Sequence, residues 1–425
     1  MNRARQTRPN IRSSGNAAPA NPSNHPKEKR GKITSDHSMT KSKTNLSMVK
    51  KMRHKAKMFS VRSGLDLPFF LLVLTLVVIG LIMLFSASYA SAYYETGSSY
   101  TYIIRQGIFA VVGVGAMIFI SYFDYHWLHK LTFPLLGVSW LMLGVTLLLP
   151  PVANVRRWIS LGLFSFQPSE IAKFALILWF AHFISLNFKK MHTFRVGIFP
   201  HLIVVGITVG LVVVEPHLSA SIILLSLSAV MLFVGGVKYR WFIAVVIAVA
   251  IGAICFLMFT DGYANDRVQG WLDPFAKDFW QETWQTRNSL YAIGSGGWMG
   301  TGLGHSRQKY LWLPEPQNDF IFAIICEELG FVGALIIIIL FILLVWRGIV
   351  ISLRAKDKFG MLLGVGLSLQ VGIQTVLNIG VVTNTLPNTG ISLPFFSYGG
   401  TSLIILLAQM GVVLSISRTS NIEKI

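Results

Sequence analysis

Two cysteines in 425 residues, Cys255 and Cys326, both inside apolar runs, exclude a disulfide framework and a metal site of the usual cysteine spacing. They read as packing residues. Charge is scarce as well. Only 13% of the residues are Asp, Glu, Lys or Arg, against roughly 25% in soluble domains, and this argues against an ordinary cytosolic enzyme. Acids are the scarcer sign, with 18 Asp+Glu against 37 Lys+Arg and a formal net charge of +19. What the chain has in quantity is apolar surface, 53% of its residues. The basic and apolar characters belong to different segments. Residues 1–66 hold 16 of the bases and 3 of the acids, net +13, which leaves +6 of the +19 for the other 359 residues.

The 1–66 segment, rich in Asn, Ser, Pro, Lys and Arg, has too few large apolar residues to offset its ordering entropy and is expected to be a disordered basic tail. It is not a cleavable signal peptide, because the first apolar run starts too late and runs too long. Its chemistry suits anionic lipid headgroups better than nucleic acid, which is not expected as a partner. Beyond it, ten stretches approach the roughly 20 apolar residues that a helix needs to cross a bilayer. They are 67–86, 103–121, 131–149, 169–187, 198–215, 217–235, 241–260, 320–346, 361–381 and 396–417. None alternates with period 2, so the expected fold is an all-α polytopic membrane protein and not a barrel. With the amino terminus inside, 28 of the 37 bases fall on the inner side, so both termini are expected in the cytoplasm, with 419–425 as a short C-terminal tail.

Most connections are short. The exception is 261–319, expected to face outward between the seventh and eighth spans of a 67–418 membrane domain; a loop of that length is usually functional or disordered. It closes on Leu313-Pro314-Glu315-Pro316-Gln317-Asn318-Asp319-Phe320 and runs directly into a span. Asp319 there reads as a helix N-cap, as a carboxylate able to take a proton from a hydroxyl nucleophile, or as both. Glu315, one turn away, reads as a ligand for a sugar or a cation, or as a solvated group. Glu327 and Glu328 come next; Glu327 lies about 12 Å deeper than Asp319 along a helix, either in a buried pairing that holds helices together or facing a polar cavity. Glu170 and Lys173, spaced i, i+3, share one helix face behind Pro168, which suits a first helical turn. They form an internal ion pair or, with Arg156 and Arg157, an anion-binding wall. The glycine run 294–304 lacks the strand of a dinucleotide site; it reads as turns or as a backbone cradle for pyrophosphate. The prolines and glycines of 386–400 imply broken backbone, tolerated at membrane depth where it lines a polar cavity.

These blocks resemble one family, the SEDS proteins (FtsW, RodA and SpoVE). The resemblance is carried by Arg157-Trp158-Ile159, by Gln167–Glu170 with Lys173, and by Ala292–Gly304, Pro314–Gly330 and Leu393–Gly400, within about 65–418. Leu386-Pro387-Asn388-Thr389-Gly390 is more similar to the FtsW and SpoVE branch. The resemblance implies a peptidoglycan glycosyltransferase that polymerises lipid II into β-1,4-linked glycan at the outer face of the bacterial membrane, at the division septum. It implies Asp319 as the catalytic base, and Arg157, Glu170, Lys173 and Ser397 as substrate-binding residues beside Glu315. Its implied partners are a class B penicillin-binding transpeptidase and other divisome membrane proteins. A divalent cation, Mg or Mn, stays open as a cofactor. Many members carry Asp where Glu215 stands before Pro216-His217-Leu218, so a role for that acid does not transfer. A lipid II flippase and a non-catalytic scaffold are the alternatives.

Overall fold

The computed structural model describes residues 64–150, 157–160, 165–215, 217–241, 243–244, 246–247, 270–276 and 283–420. The expected basic tail, the short C-terminal tail, Cys255, Arg156 and most of the expected 241–260 span lie outside the described residues. The elements are α1 (Leu67–Thr96), α2 (Thr101–Ser121), α3 (His126–Leu148), β1 (Ile159–Ser160), β2 (Ser165–Phe166), α4 (Pro168–Asn187), α5 (Phe194–Gly197), α6 (Phe199–Val214), α7 (Leu218–Val234), α8 (Trp284–Gly296), α9 (Ile321–Leu353), α10 (Lys358–Val382) and α11 (Gly400–Thr419). The chain is an all-helical polytopic membrane protein. Eight of its helical segments are long and apolar enough to cross a bilayer, with α5 and α6 counted as one, and the shorter α7 is a ninth apolar helix. That accounts for nine of the ten expected spans. The only strands among the described residues are β1 and β2, a two-residue antiparallel ladder that pairs Ile159 with Phe166 and Ser160 with Ser165.

Local chemistry sets the helix ends. Asp66 caps α1 by accepting from the Phe69 amide at 3.0 Å, Pro68 sits in the first turn, and Gly97 closes the helix in the left-handed conformation at φ 74°. Asp357 caps α10 in the same way through the Gly360 amide. More than half of the central part of α4, α10 and α11 is buried, whereas α2 is 22% buried and turns Val111 and Phe119 outward. Hydrocarbon is as apolar as these side chains, so outward apolar residues cost nothing in a bilayer and the most buried helices mark the middle of the bundle.

Two polar contacts pin α1 to α9. At one end Arg347 grips Asp66 with two hydrogen bonds, Nε to Oδ1 at 3.1 Å and Nη2 to Oδ2 at 2.8 Å. Farther along, Ser86 donates to Glu328 at 2.7 Å. The interval is 66 to 86 on α1 and 328 to 347 on α9, about 30 Å of helix. That is about the thickness of a hydrocarbon core, so each polar contact can sit at one edge of it.

α8 lies inside what hydropathy reads as a loop. Its buried face is Thr286, Arg287, Asn288, Ser289, Ala292 and Gly296, mostly polar, so no apolar stripe announces it. Gly296 lies directly against the α9 backbone at Cys326 and Glu327, a contact with no room for a Cβ.

Candidate active site

At the end of the bundle away from Asp66 lies a cavity of about 660 Å³. Its wall is built from α2, α4, α7, α10 and α11, the β1–β2 ladder with residues 157 and 158 before it, the segment before α9 and the loop before α11. Arg157, Glu170, Lys173, Glu315, Asp319 and Ser397, the six residues singled out in the sequence, all line it.

Asp319 precedes α9 without capping it, since Phe320 holds the cap position and no side chain bonds the first amides. The N-cap reading is therefore not what the fold uses. Three successive carbonyls of this segment are instead tied to the elements beside it. The Tyr398 amide donates to Gln317 O at 2.9 Å, Ser397 Oγ to Asn318 O at 2.6 Å and Asn378 Nδ2 to Asp319 O at 2.8 Å. Ser397 Oγ also accepts from the Leu393 amide at 2.7 Å, so its hydroxyl is committed to backbone on both sides. Gln106 of α2 reaches the same loop, donating to Ser397 O and accepting from the Gly399 amide, each at 3.3 Å. The Asp319 side chain is half-buried, with protein around it and its carboxylate on the cavity wall. Burial, helped by repulsion from Glu315 and opposed by attraction to Arg157, pushes its pKa up to about 6.

The same cavity carries a cationic cluster. Pro168 begins α4, as its position suggested, and places Glu170 in the first turn. Lys173 Nζ donates to Glu170 Oε1 at 2.8 Å, with the lysine side chain 2% and the glutamate 13% exposed. Arg157 enters from the strand hairpin, which Thr401 of α11 holds by donating to Ser165 O at 2.9 Å. Burial and the charges of Arg157 and Lys173 push His217 down to about 3, so the ring is neutral at pH 7. Glu215, the position that departs from the family pattern, is 1% exposed and accepts from Thr146 Oγ1. Burial raises its pKa to about 7, against the Thr146 bond and the Arg157 charge.

The second acidic pair serves a different purpose. Glu328 accepts from Lys309 Nζ at 2.9 Å, from Ser86 Oγ and from the Ser306 amide; Glu327 accepts from Ser306 Oγ and from the Arg307 and Gln308 amides. Both carboxylates therefore hold residues 306–309, just after the glycine run, against α9, the buried-pairing reading of the two. The Gly300, Thr301 and Gly302 amides donate to the carbonyls of Gly296, Glu327 and Glu328, so these three N–H groups are not a cradle for pyrophosphate. α9 breaks where this segment docks, at Gly330 with φ 66° and ψ −169°. A Cβ there would strike the Gly300 amide and the Trp298 carbonyl. Gly330→Ala is expected to destabilise the protein by about 2–3 kcal/mol, read as a lower melting temperature in detergent; an unchanged melting temperature would show that the docked segment is dispensable.

A family model described as a cell cycle protein family, covering FtsW, RodA and SpoVE, matches residues 66–422. The chain belongs to the FtsW/RodA/SpoVE family. It is 41% identical to the stage V sporulation protein E of Bacillus subtilis over 367 residues, covering 85% of this chain and 100% of that one. It is 36% identical to a probable peptidoglycan glycosyltransferase FtsW of a Geobacter species, covering 83% of this chain and 97% of the other. Among solved structures, one described as structural coordination of polymerization and crosslinking by a peptidoglycan synthase complex aligns with a TM-score of 0.70 at 27% identity, over 84% of this chain and 98% of its own. The Thermus thermophilus rod shape determining protein RodA aligns with a TM-score of 0.62 at 27% identity, over 84% and 98%.

Within this FtsW/RodA/SpoVE member, Gln374 and Ser219 also line the cavity and belong to none of the motifs, while Trp158, quoted within its motif but given no role, lines it too. Gln374 and Asn378 are spaced i, i+4 on α10, a polar stripe inside an apolar span that could have drawn attention. Among the described residues no three His, Cys, Asp or Glu side chains are grouped to hold a metal ion. The oxygen donors here for a divalent cation are the carboxylates on the cavity wall, Glu170, Glu315 and Asp319.

Proposed function

We propose that this chain is a peptidoglycan glycosyltransferase that polymerises lipid II, with Asp319 as the general base. One observation carries the reading: a carboxyl group with its pKa raised to about 6 on a cavity wall that also bears Arg157 and the Glu170–Lys173 pair. A base works best when its pKa lies near the operating pH. Asp319 takes the proton from the 4-hydroxyl of the acceptor sugar as that oxygen bonds to C1 of the donor. The C1–O bond to the lipid pyrophosphate breaks on the opposite face, and the anomeric configuration inverts to β. Charge on the leaving pyrophosphate is met by Arg157 and Lys173, the latter oriented by Glu170. Glu315 contributes by raising the basicity of Asp319, and Ser397 by holding the segment that carries it. Any divalent cation would add to the neutralisation of the pyrophosphate.

The solved relative described as a peptidoglycan synthase complex supports a class B penicillin-binding transpeptidase as partner. Cytoplasmic termini, a location at the septum among other divisome membrane proteins, and contact of the basic tail with anionic lipid complete the proposal. The test supplies lipid II to the purified protein with its cognate transpeptidase and reads glycan polymer. Wild type makes polymer and Asp319→Asn does not. Polymer at wild-type yield from the variant overturns the base assignment, and lipid translocation without polymer from wild type favours a transporter.

The pH profile is a second check. A protonated carboxyl cannot accept the hydroxyl proton, so polymerisation should fall about tenfold per unit below an acid limb near pH 6. A limb at or below about pH 4, the ordinary aspartate range, would count against it.

A further inference from the structure

We propose that Asn378 is a positioning residue for Asp319, its side-chain amide clipping the Asp319 backbone to the adjoining loop of the cavity wall. The proposal rests on Asp319 being the base. Asn378 is fully buried on α10. Its Nδ2 donates to Asp319 O at 2.8 Å and to Ile391 O at 2.6 Å. An amide nitrogen carries two hydrogens, and both are used on acceptors that cannot donate, which settles the orientation of the side chain. An aspartate of the same shape would have no hydrogen to give when ionised, and a serine has one.

The two carbonyls belong to different walls of the site. Asp319 carries the carboxylate, and Ile391 leads into Ser392, Leu393 and Pro394, which line the cavity. Gly390, beside Ile391, has φ 71°, and a Cβ there would lie 2.9 Å from Asp319 Oδ2. The carboxylate therefore rests against the backbone that Asn378 draws towards it. Ser397 and Tyr398 fasten the two preceding carbonyls to the same loop. Asn378 is the member of this set that comes from a membrane-spanning helix, so it references both walls to the rigid bundle. Without it two carbonyls lose their donor, the two segments separate, and Asp319 becomes more hydrated.

The full-length protein with its cognate transpeptidase tests this, with lipid II as substrate. Asn378→Leu keeps the branching of the side chain and removes both donors, though it is the larger residue; Asn378→Ser keeps one donor and adds no bulk. For Asn378→Leu, kcat should fall on the order of 10- to 100-fold, as expected for a small misplacement of a reacting group. KM should change by no more than about threefold, because ground-state binding is not the target. Hydration of Asp319 should also move the acid limb down by about one pH unit or more, an effect that a general loss of folded protein does not produce. Asn378→Ser should be intermediate on both readouts, and it carries the test alone if Asn378→Leu does not elute as a folded species. Folded variants with wild-type kcat and acid limb overturn the proposal, as does a lower kcat with an unmoved limb. Failure of the base reading is a separate result, wild-type polymerisation by Asp319→Asn.

Discussion

Asp319→Asn is expected to lower glycan polymerisation by about 10²- to 10⁴-fold, the usual contribution of a positioned general base. Asparagine keeps the shape of the side chain and the carbonyl contacts of its backbone, so substrate should still bind and KM should change little. Stability should move the other way. Burial raises the Asp319 pKa from the ordinary range to about 6, so the charged carboxylate is disfavoured in the folded protein. A group shifted in this direction destabilises the native state as pH rises through the unfolded and then the folded value. At pH 7 the neutral amide should therefore melt at or above the wild-type temperature. Lost activity with retained or raised stability separates a chemical role from a structural one. A variant that is inactive because it melts earlier would not support the base assignment.

The second large effect is on stability. Glu328→Gln should destabilise the protein by about 3–5 kcal/mol, because it leaves the buried Lys309 ammonium without its counter-charge. The side chains of this pair are 3% and 0% exposed, and Lys309 also donates to Ser86 Oγ and to Gly304 O. The expected loss in melting temperature is on the order of 10 °C, measured in detergent micelles. Replacing both partners with apolar residues of similar volume, as in Lys309→Met with Glu328→Leu, should recover much of it, since a buried pair contributes little beyond cancelling its own desolvation. A melting temperature for Glu328→Gln equal to wild type would show that the pair is not what holds residues 306–309 against α9.

How far each feature was legible depends on how local its cause is. Long apolar runs, the Asp66 cap before Leu67-Pro68 and Pro168 at the head of α4 involve neighbours in the chain, and hydropathy and turn chemistry report them. The α8 helix escaped because its buried face is polar. Glu327 and Glu328 were recognisable as ionisable groups too deep to be idle, yet the segment they hold lies about twenty residues earlier and is named only by the fold. Ser397 stands out within its motif, while the bonds of its hydroxyl to the carbonyl of Asn318 and from the amide of Leu393 are decided by the fold. The family motifs pointed to six residues but not to their company.

By itself the sequence determined that this is a helical membrane protein with a basic tail, and which few charged side chains stand where charge is costly. Tertiary structure alone decided that Asp319 leaves the helix uncapped and turns to a cavity, that Asn378 reaches across 59 positions to its carbonyl, and that Gln106 reaches across 291 to the same loop. The physical reason is that apolar periodicity and capping act over a few residues. The pKa of a carboxylate and the pairing of a buried carbonyl depend on whatever the folded chain brings within a few ångströms.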